Sequence, residues 1–348
     1  MATIRGIPQE RGGIVVTIKD ISQRCGVSPA TVSKALNGYG DIGAATAERI
    51  RKVAQEMHYM PNSAARQLKT NISHNIGVVF EDDTMSGLTH EYFSQILNSA
   101  KNELERHGYD ITFIGSKIGG TSFVEHCRYR KCDGVLIASV DFTSQQVIDL
   151  INSEFPTVTI DYSFNNHSCV MSDNVDGAYN LVHYLYQMGH RKIAYIHGEE
   201  TSVTVKRLSG FYKACKELGL HIPDEYVVLG QFHDPKSAGE CTRELMRLNN
   251  PPTAIMYPDD FAYIGGRIAL EKMNLSTPED VSVVGYDGIH LSQVIRPRVT
   301  TWYQDAEQIG AISARKLVET IENKKSSVAE QIMVEGRLIE GETVRRIN

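Results

Sequence analysis

A chain of 348 residues, 41% hydrophobic and 22% charged, is long enough for two or three packed domains and has the composition of an ordinary globular protein. It contains no run of about 18 apolar residues, which excludes a membrane-spanning helix, and its opening MATIRGIPQERGGIVV lacks the apolar core of a secretory signal, so a cytoplasmic protein is expected. The net charge of −6 conceals a basic head (ten Lys or Arg against five Asp or Glu in residues 1–71) on an acidic body (26 against 37 in the rest), which suits a DNA reader joined to a domain that does not itself cling to DNA.

Residues 1–15 are aperiodic and read as a disordered arm. In 17–37, TIKDISQRCGVSPATVSKALN, Thr17 with Asp20 three residues on is a helix start signal. Ile18, Ile21 and Cys25 then share one apolar face. Gly26 breaks that helix, and Ser28 before Pro29 reads as the cap and first position of a second. In the second helix Val32, Ala35 and Leu36 turn inward, leaving Pro29, Ala30, Ser33, Lys34 and Asn37 outward. A short helix with such a small, polar and basic face fits a major groove. Lys34 could donate to guanine O6 and N7, while Pro29 and Ala30 offer apolar contact to thymine methyls. Thr17, Thr31, Ser33, Asn37 and Tyr59 are candidate phosphate contacts, which set register without reading sequence. After a loop at 38–43, Ile50, Val53, Ala54 and Met57 mark a third helix that closes a small core. Pro61 stops it, and Asn62 can cap a further helix of about seven residues, marginal by itself in water.

From residue 75 the pattern becomes alternating strands and helices. Strands are expected at 76–80, 111–115, 134–138 and 157–161, then at 193–197, 226–230, 253–257 and 281–286. Amphipathic helices between them include 91–107, 175–188, 204–218 and 260–273. Continuous apolar strands alternating with helices indicate two doubly wound parallel-sheet subdomains flanking a cleft, with ligands at the carboxyl ends of the strands. A last helix at 306–323 and the tail QIMVEGRLIEGETVRRIN would cross back and complete both halves.

Signs of catalysis are missing. GxSxG, HExxH, a P-loop lysine and GxGxxG do not occur, so no enzyme and no cofactor is expected. Six scattered cysteines without a CxxC pair read as buried thiols, and twelve histidines without ligand spacing suggest no metal.

The run TIKDIS…CGVSPATVSKALNG resembles the helix-turn-helix signature of the LacI/GalR family of bacterial transcription regulators. PNSAARQL at 61–68 resembles that family's hinge helix, and SDNVDGAYNLVHYLYQMGHRKIAYIHG (172–198), KRLSGFYKA (206–214), YPDDFAYIGG (257–266), VSVVGYDG (281–288) and TTWYQD (300–305) resemble its body. The resemblance covers about residues 16–345. It implies an N-terminal all-α DNA-binding domain on a periplasmic-binding-protein-like body, acting as a homodimeric repressor on double-stranded operator DNA under a small-molecule effector, a sugar. The implied organisation is an arm (1–15), a DNA-binding domain (16–61), a hinge helix and linker (62–74) and an effector-binding, dimerising body (75–348). The body's N-subdomain would be about 75–172 plus 303–333, its C-subdomain about 173–302 plus 334–348.

By the same resemblance the hinge would wedge Leu68 into a minor-groove step, with Asn62, Ala65 and Arg66 beside it. The effector positions would be Asp161, Asp173, Arg207, Asp259 and Asp287, with Phe93 and Phe232 as ring platforms and Asp83 reaching in after the first strand. The chain departs from the family pattern at Gly43 and Ala47, where a Ser or Thr cap and an Arg are usual. It departs again at Asp259, commonly Asn, and at Gly288, often a second Asp. Two other functions share the body: a catabolite-control regulator with a protein co-effector, and a solute-binding receptor.

Overall fold

The computed structural model describes residues 16–36, 38–59, 72–81, 87–115, 120–323 and 326–348. The expectations for the arm 1–15, for Asn37, for the hinge residues Asn62, Ala65, Arg66 and Leu68, and for Asp83 lie outside the described residues. The chain divides into two compact units, Met1–Ser73 and His74–Asn348.

The first unit is built from α1 (Ile18–Cys25), α2 (Pro29–Leu36) and α3 (Ala44–Glu56). At its start the Asp20 carboxylate accepts from both the amide and the hydroxyl of Thr17, each at 2.7 Å. Gly26 ends α1 in the left-handed region (φ 63°), where a side chain would be strained, and the next amide, Val27, donates back to the Ser22 carbonyl at 3.2 Å. Ser28 caps α2 by accepting from the Thr31 amide at 3.1 Å. Ile21, Cys25, Val32, Ala35, Ala47, Ile50 and Ala54 make the core, with Leu36, Val53, Met57 and Tyr59 packed against it. Gly43 gives α3 no side-chain cap. Arg49 instead ties α3 to the end of α1, donating to the Cys25 carbonyl at 3.1 Å.

The strands of the second unit are β1 (Asn75–Phe80), β2 (Asp110–Ile114), β3 (Gly134–Ala138), β4 (Thr157–Ile160), β5 (Ser168–Ser172), β6 (Ile193–His197), β7 (Val227–Leu229), β8 (Ala254–Met256), β9 (Ser282–Asp287), β10 (Thr300–Tyr303), β11 (Gln331–Val334) and β12 (Arg337–Ile339). Its helices are α4 (Glu91–Arg106), α5 (Phe123–Arg130), α6 (Gln145–Ile151), α7 (Asn174–Gln187), α8 (Ser202–Glu217), α9 (Pro235–Met246), α10 (Asp260–Lys272), α11 (His290–Val294) and α12 (Ala306–Glu322). One six-stranded sheet runs β11-β5-β4-β3-β1-β2, all parallel. The other runs β12-β10-β9-β8-β6-β7, parallel except for β12, which lies antiparallel on β10.

Each sheet is covered on both faces, which is why its inner strands read as unbroken apolar runs. In the first, α4 and α12 pack on Ile76, Val78, Leu136 and Val158, while α5 and α6 pack on Val79, Val135 and Ile137. In the second, α9 and α10 cover Ile196, Ile255 and Val283, and α7 and α8 cover Tyr195, Met256 and Val284. The chain passes between the sheets after β5, after β10 and between β11 and β12. Helices α9 and α10 approach so closely that a Cβ on Gly265 would stand 1.5 Å from the Pro235 carbonyl oxygen.

Four strands lie outside the expected set, the tail strands β11 and β12 together with β5 and β10, and the last two have a physical reason: β5 (SCVMS) and β10 (TTWY) carry hydroxyls at buried positions. In β10 the Thr300 hydroxyl is satisfied across the sheet edge. The Thr300 amide donates to Thr343 Oγ1 at 2.9 Å, and Thr300 Oγ1 accepts from the Gly341 amide at 3.0 Å. The strand expected at 226–230 is shorter, because Asp224–Tyr226 forms a 3-10 turn.

Candidate functional site

In the first unit Pro29, Ala30 and Lys34 of α2 are exposed together with Thr17, while Thr31 and Ser33 are half-buried. The Thr31 hydroxyl pairs with that of Ser28 at 2.8 Å, and the Lys34 ammonium pairs with the carboxylate of Asp41. Tyr59 packs on the three-helix core.

In the second unit a cavity of about 330 Å³ opens at the carboxyl ends of the parallel strands of both sheets. Glu81 follows β1, Asp161 follows β4, Glu199 follows β6, and Phe232 with His233 follows β7. Asp259 follows β8, Asp287 ends β9 and Gln304 follows β10. Arg207 of α8 lies among them, 4% exposed. Its Nε donates to Asn174 Oδ1 at 2.7 Å and its Nη1 to the Pro258 carbonyl at 2.8 Å, while Nη2 lies 3.9 Å from Asp287 Oδ1. The guanidinium also stacks 3.5 Å from the centre of the Tyr286 ring. So held, it is a fixed cation facing the cavity.

The carboxylates are positioned as firmly. Asp161, at φ 61°, accepts from the Ser172 amide at 3.2 Å and sits 3.4 Å from the Tyr92 hydroxyl. Asp259 caps α10 by accepting from Ala262 and holds the next loop by accepting from the His233 amide, both at 2.7 Å. Asp287 accepts from Gln304 Nε2 at 2.7 Å. Burial raises the pKa of all three from the ordinary carboxylate value. For Asp287, burial against the opposing pull of Arg207 pushes it up to about 7, with Asp259 adding to the rise.

Of the residues singled out by sequence, Phe93, Asp161, Arg207, Phe232, Asp259 and Asp287 line this one cavity. Asp173 does not. It is the N-cap of α7, accepting from the Asp176 amide at 2.9 Å, and the buried Asn174 beside it is the residue that reaches Arg207. Asp260 is likewise turned from the cavity, accepting from the Ile289 amide at 3.0 Å. Sequence reasoning passed over Tyr92, Gln304, Glu199, His90 and His233. His90 and His233 stack across the cleft with ring centres 4.0 Å apart, and Phe261 stacks on His233 at 4.1 Å. A signal for Gln304 existed in its place one residue beyond β10, a strand whose buried threonines disguised it.

Among the described residues no group of three or more His, Cys, Asp or Glu is arranged to hold a metal ion, and no helix is long and apolar enough to cross a membrane.

Two family models match the chain. Residues 17–62 match "Bacterial regulatory proteins, lacI family", and 73–341 match "Periplasmic binding proteins and sugar binding domain of LacI family". The HTH-type transcriptional repressor PurR of Pasteurella multocida is 31% identical over 322 residues, 90% of this chain and 95% of the relative. PurR of Haemophilus influenzae is 31% identical over 321 residues, 90% and 94% of the two chains. Among solved structures, a complex of the transcriptional regulator CelR with cellobiose superposes with TM-score 0.68 at 25% identity, covering 94% of this chain and 99% of its own. The Lac repressor dimer bound to operator and the anti-inducer ONPF has the same fold, with TM-score 0.77 at 24% identity over 95% and 99%. The chain therefore belongs to the LacI family, and it is an effector-controlled, DNA-binding transcriptional repressor rather than an enzyme.

Proposed function

We propose that the effector is a neutral polyhydroxylated molecule, a sugar, and that the protein works in the cytoplasm as a homodimer on a near-palindromic operator. The observation that carries the effector class is the convergence of Arg207 with Asp161, Asp259 and Asp287 beside the rings of Phe93 and Phe232 in one cavity. Carboxylates accept from neighbouring hydroxyls, the guanidinium donates back, and aromatic faces pack on the apolar side of a sugar ring. The cellobiose bound by the CelR relative supports the same class.

On DNA, Lys34 takes guanine O6 and N7, Pro29 and Ala30 meet thymine methyls, and Thr17, Thr31, Ser33, Asn37 and Tyr59 contact phosphates. Asn62, Ala65, Arg66 and Leu68 form the hinge in the minor groove, where Leu68 acts as a wedge. Effector binding biases the two halves of the body and so the spacing of the hinges, a coupling of about 1–3 kcal/mol. Leu68→Ala is expected to weaken operator binding by about tenfold or more and to leave a mixed-sequence duplex nearly untouched. Equal loss on both duplexes, read by fluorescence anisotropy, refutes the wedge.

A thermal-shift screen against neutral sugars, sugar phosphates, nucleosides and nucleobases tests the effector class. A ligand at about a hundred times its Kd adds roughly 2.7 kcal/mol, several degrees for a body this size. Stabilisation by a neutral sugar that is absent in Asp287→Ala is the expected result. Stabilisation confined to nucleosides or nucleobases, or silence across the panel, overturns it.

The raised pKa of Asp287 adds a signed prediction. Hydroxyl donors favour the ionised carboxylate, so binding drives its proton off, and affinity rises from pH 6 to pH 8 as the group titrates near 7. The ligand-free body moves oppositely: its contribution from Asp287 is present below the ordinary carboxylate pKa and is lost as pH rises through about 7. Calorimetry in two buffers of different ionisation enthalpy should show proton release near pH 6.5, within about half a unit of that pKa. Proton uptake would contradict it.

A further inference from the structure

The Lys34–Asp41 pair sits at the surface proposed to read DNA, and it changes what that surface offers. Lys34 is on the exposed face of α2 with Pro29 and Ala30, and Asp41 lies in the loop between α2 and α3. Their side chains are 47% and 54% exposed, and the ammonium donates directly to Asp41 Oδ2. The loop that carries Asp41 is anchored to the end of α2, where the Tyr39 amide donates to the Lys34 carbonyl at 3.1 Å and the Gly38 amide to the Ala35 carbonyl at 3.3 Å. Of the other acidic side chains on these helices, Asp20 closes the start of α1 and Glu48 pairs with Arg51 on α3.

A lone lysine is a flexible point charge that binds any phosphate. Each phosphate neutralised by a free cation releases counterions, and that sequence-independent gain makes up nearly all non-specific affinity. A lysine already paired with a carboxylate brings no net charge to the duplex, so it gains little from a phosphate. At a guanine it still has donor capacity to spare, because an ammonium carries three N–H groups and O6 with N7 need two.

We propose that Asp41 is a specificity-determining, positioning residue of the DNA-reading surface: by pairing with Lys34 it withholds that cation from phosphates and holds it for a base edge. The proposal rests on the reading in which the exposed face of α2 contacts DNA. Asp41 acts through Lys34, so the charge balance of the pair, and not the fold, carries the effect.

The test uses the full chain and two labelled duplexes, one selected by the wild-type protein from a random library and one of mixed sequence, titrated by fluorescence anisotropy at several salt concentrations. Asp41→Asn should tighten binding to the mixed-sequence duplex by about fivefold at 0.15 M salt, because its salt slope steepens by about 0.9. Binding to the selected duplex should tighten less, so the ratio between the two falls. Lys34→Met should weaken both. The double variant Lys34→Met with Asp41→Asn restores neutrality, so it should match wild type on the mixed-sequence duplex and lose preference for the selected one. An unchanged slope in Asp41→Asn, with Lys34→Met still impairing the selected duplex, overturns the proposal and leaves the α2 reading standing. Loss of mixed-sequence binding in the double variant also overturns it, since Lys34 would then already engage phosphates. If Lys34→Met changes neither duplex, the α2 reading fails and the proposal falls with it.

Discussion

Arg207→Met should abolish effector binding and destabilise residues 74–348 by about 3–5 kcal/mol near pH 8, the usual result of removing one partner from a buried ionic set. Several losses coincide at this position. Asn174 Oδ1 and the Pro258 carbonyl lose donors at 2.7 and 2.8 Å, the Tyr286 ring loses its stacked cation, and Asp287 keeps its burial without the charge that favours its ionised form. The pH dependence has a definite sign. Asp287 is protonated below about 7 and then needs no counter-charge, so the deficit should shrink as pH falls to 5. Arg207→Lys should rescue little, because an ammonium cannot stack on Tyr286 while donating in two fixed directions. Thermal melts at pH 5 and pH 8 read the difference, which at about 2–4 °C per kcal/mol amounts to several degrees. A variant as stable as wild type at pH 8 would show that the cleft carboxylates do not depend on this cation.

Gly265→Ala should cost about 3 kcal/mol or more, although it adds a single methyl group. The new Cβ would stand 1.5 Å from the Pro235 carbonyl oxygen and 2.3 Å from its carbon, and neither atom has a rotamer to move into. Helix α9 must therefore shift away from α10. Helix α9 starts two residues after His233 and α10 directly after Asp259, so the shift should reach the cavity and weaken effector binding as well. Gly115→Ala is the control, since nothing lies within 4 Å of its added Cβ. Urea unfolding that finds the two variants equally stable would show that α9 and α10 have slack the structure does not suggest.

Among the described residues, Glu81, Asp141, Asp161, Glu199, Glu200, Asp259 and Asp287 line the cavity together with one arginine, Arg207. The His90–His233 stack is an aromatic contact between the halves, and Phe261, stacked on His233, packs against the core of the first sheet. An element that touches both halves and the cavity is well placed to convert occupancy into a shift between them.

The sequence by itself determined the helix-turn-helix and the alternation of the body, because both are encoded locally. Thr17 with Asp20, Gly26, and Ser28 before Pro29 act through neighbours a few residues away, and strands such as Gly134–Ala138 announce themselves by apolar runs. It also placed Asp161, Asp259 and Asp287 at strand ends and Arg207 within a helix, at the positions that family resemblance marks as ligand contacts. Only the tertiary structure decided which neighbour faces the cavity. Asp173 and Asn174 are adjacent, yet one caps α7 and the other holds Arg207. Phe93 could be named from sequence, while Tyr92 beside it supplies the hydroxyl near Asp161. Strands β5 and β10 were hidden for the same reason: a buried Ser or Thr is indistinguishable from a surface one until its hydrogen-bond partner arrives from a distant part of the chain, as the Gly341 amide does for the Thr300 hydroxyl. Side-chain direction, burial and the pairing of polar groups depend on contacts made across the fold, and those contacts have no local signature.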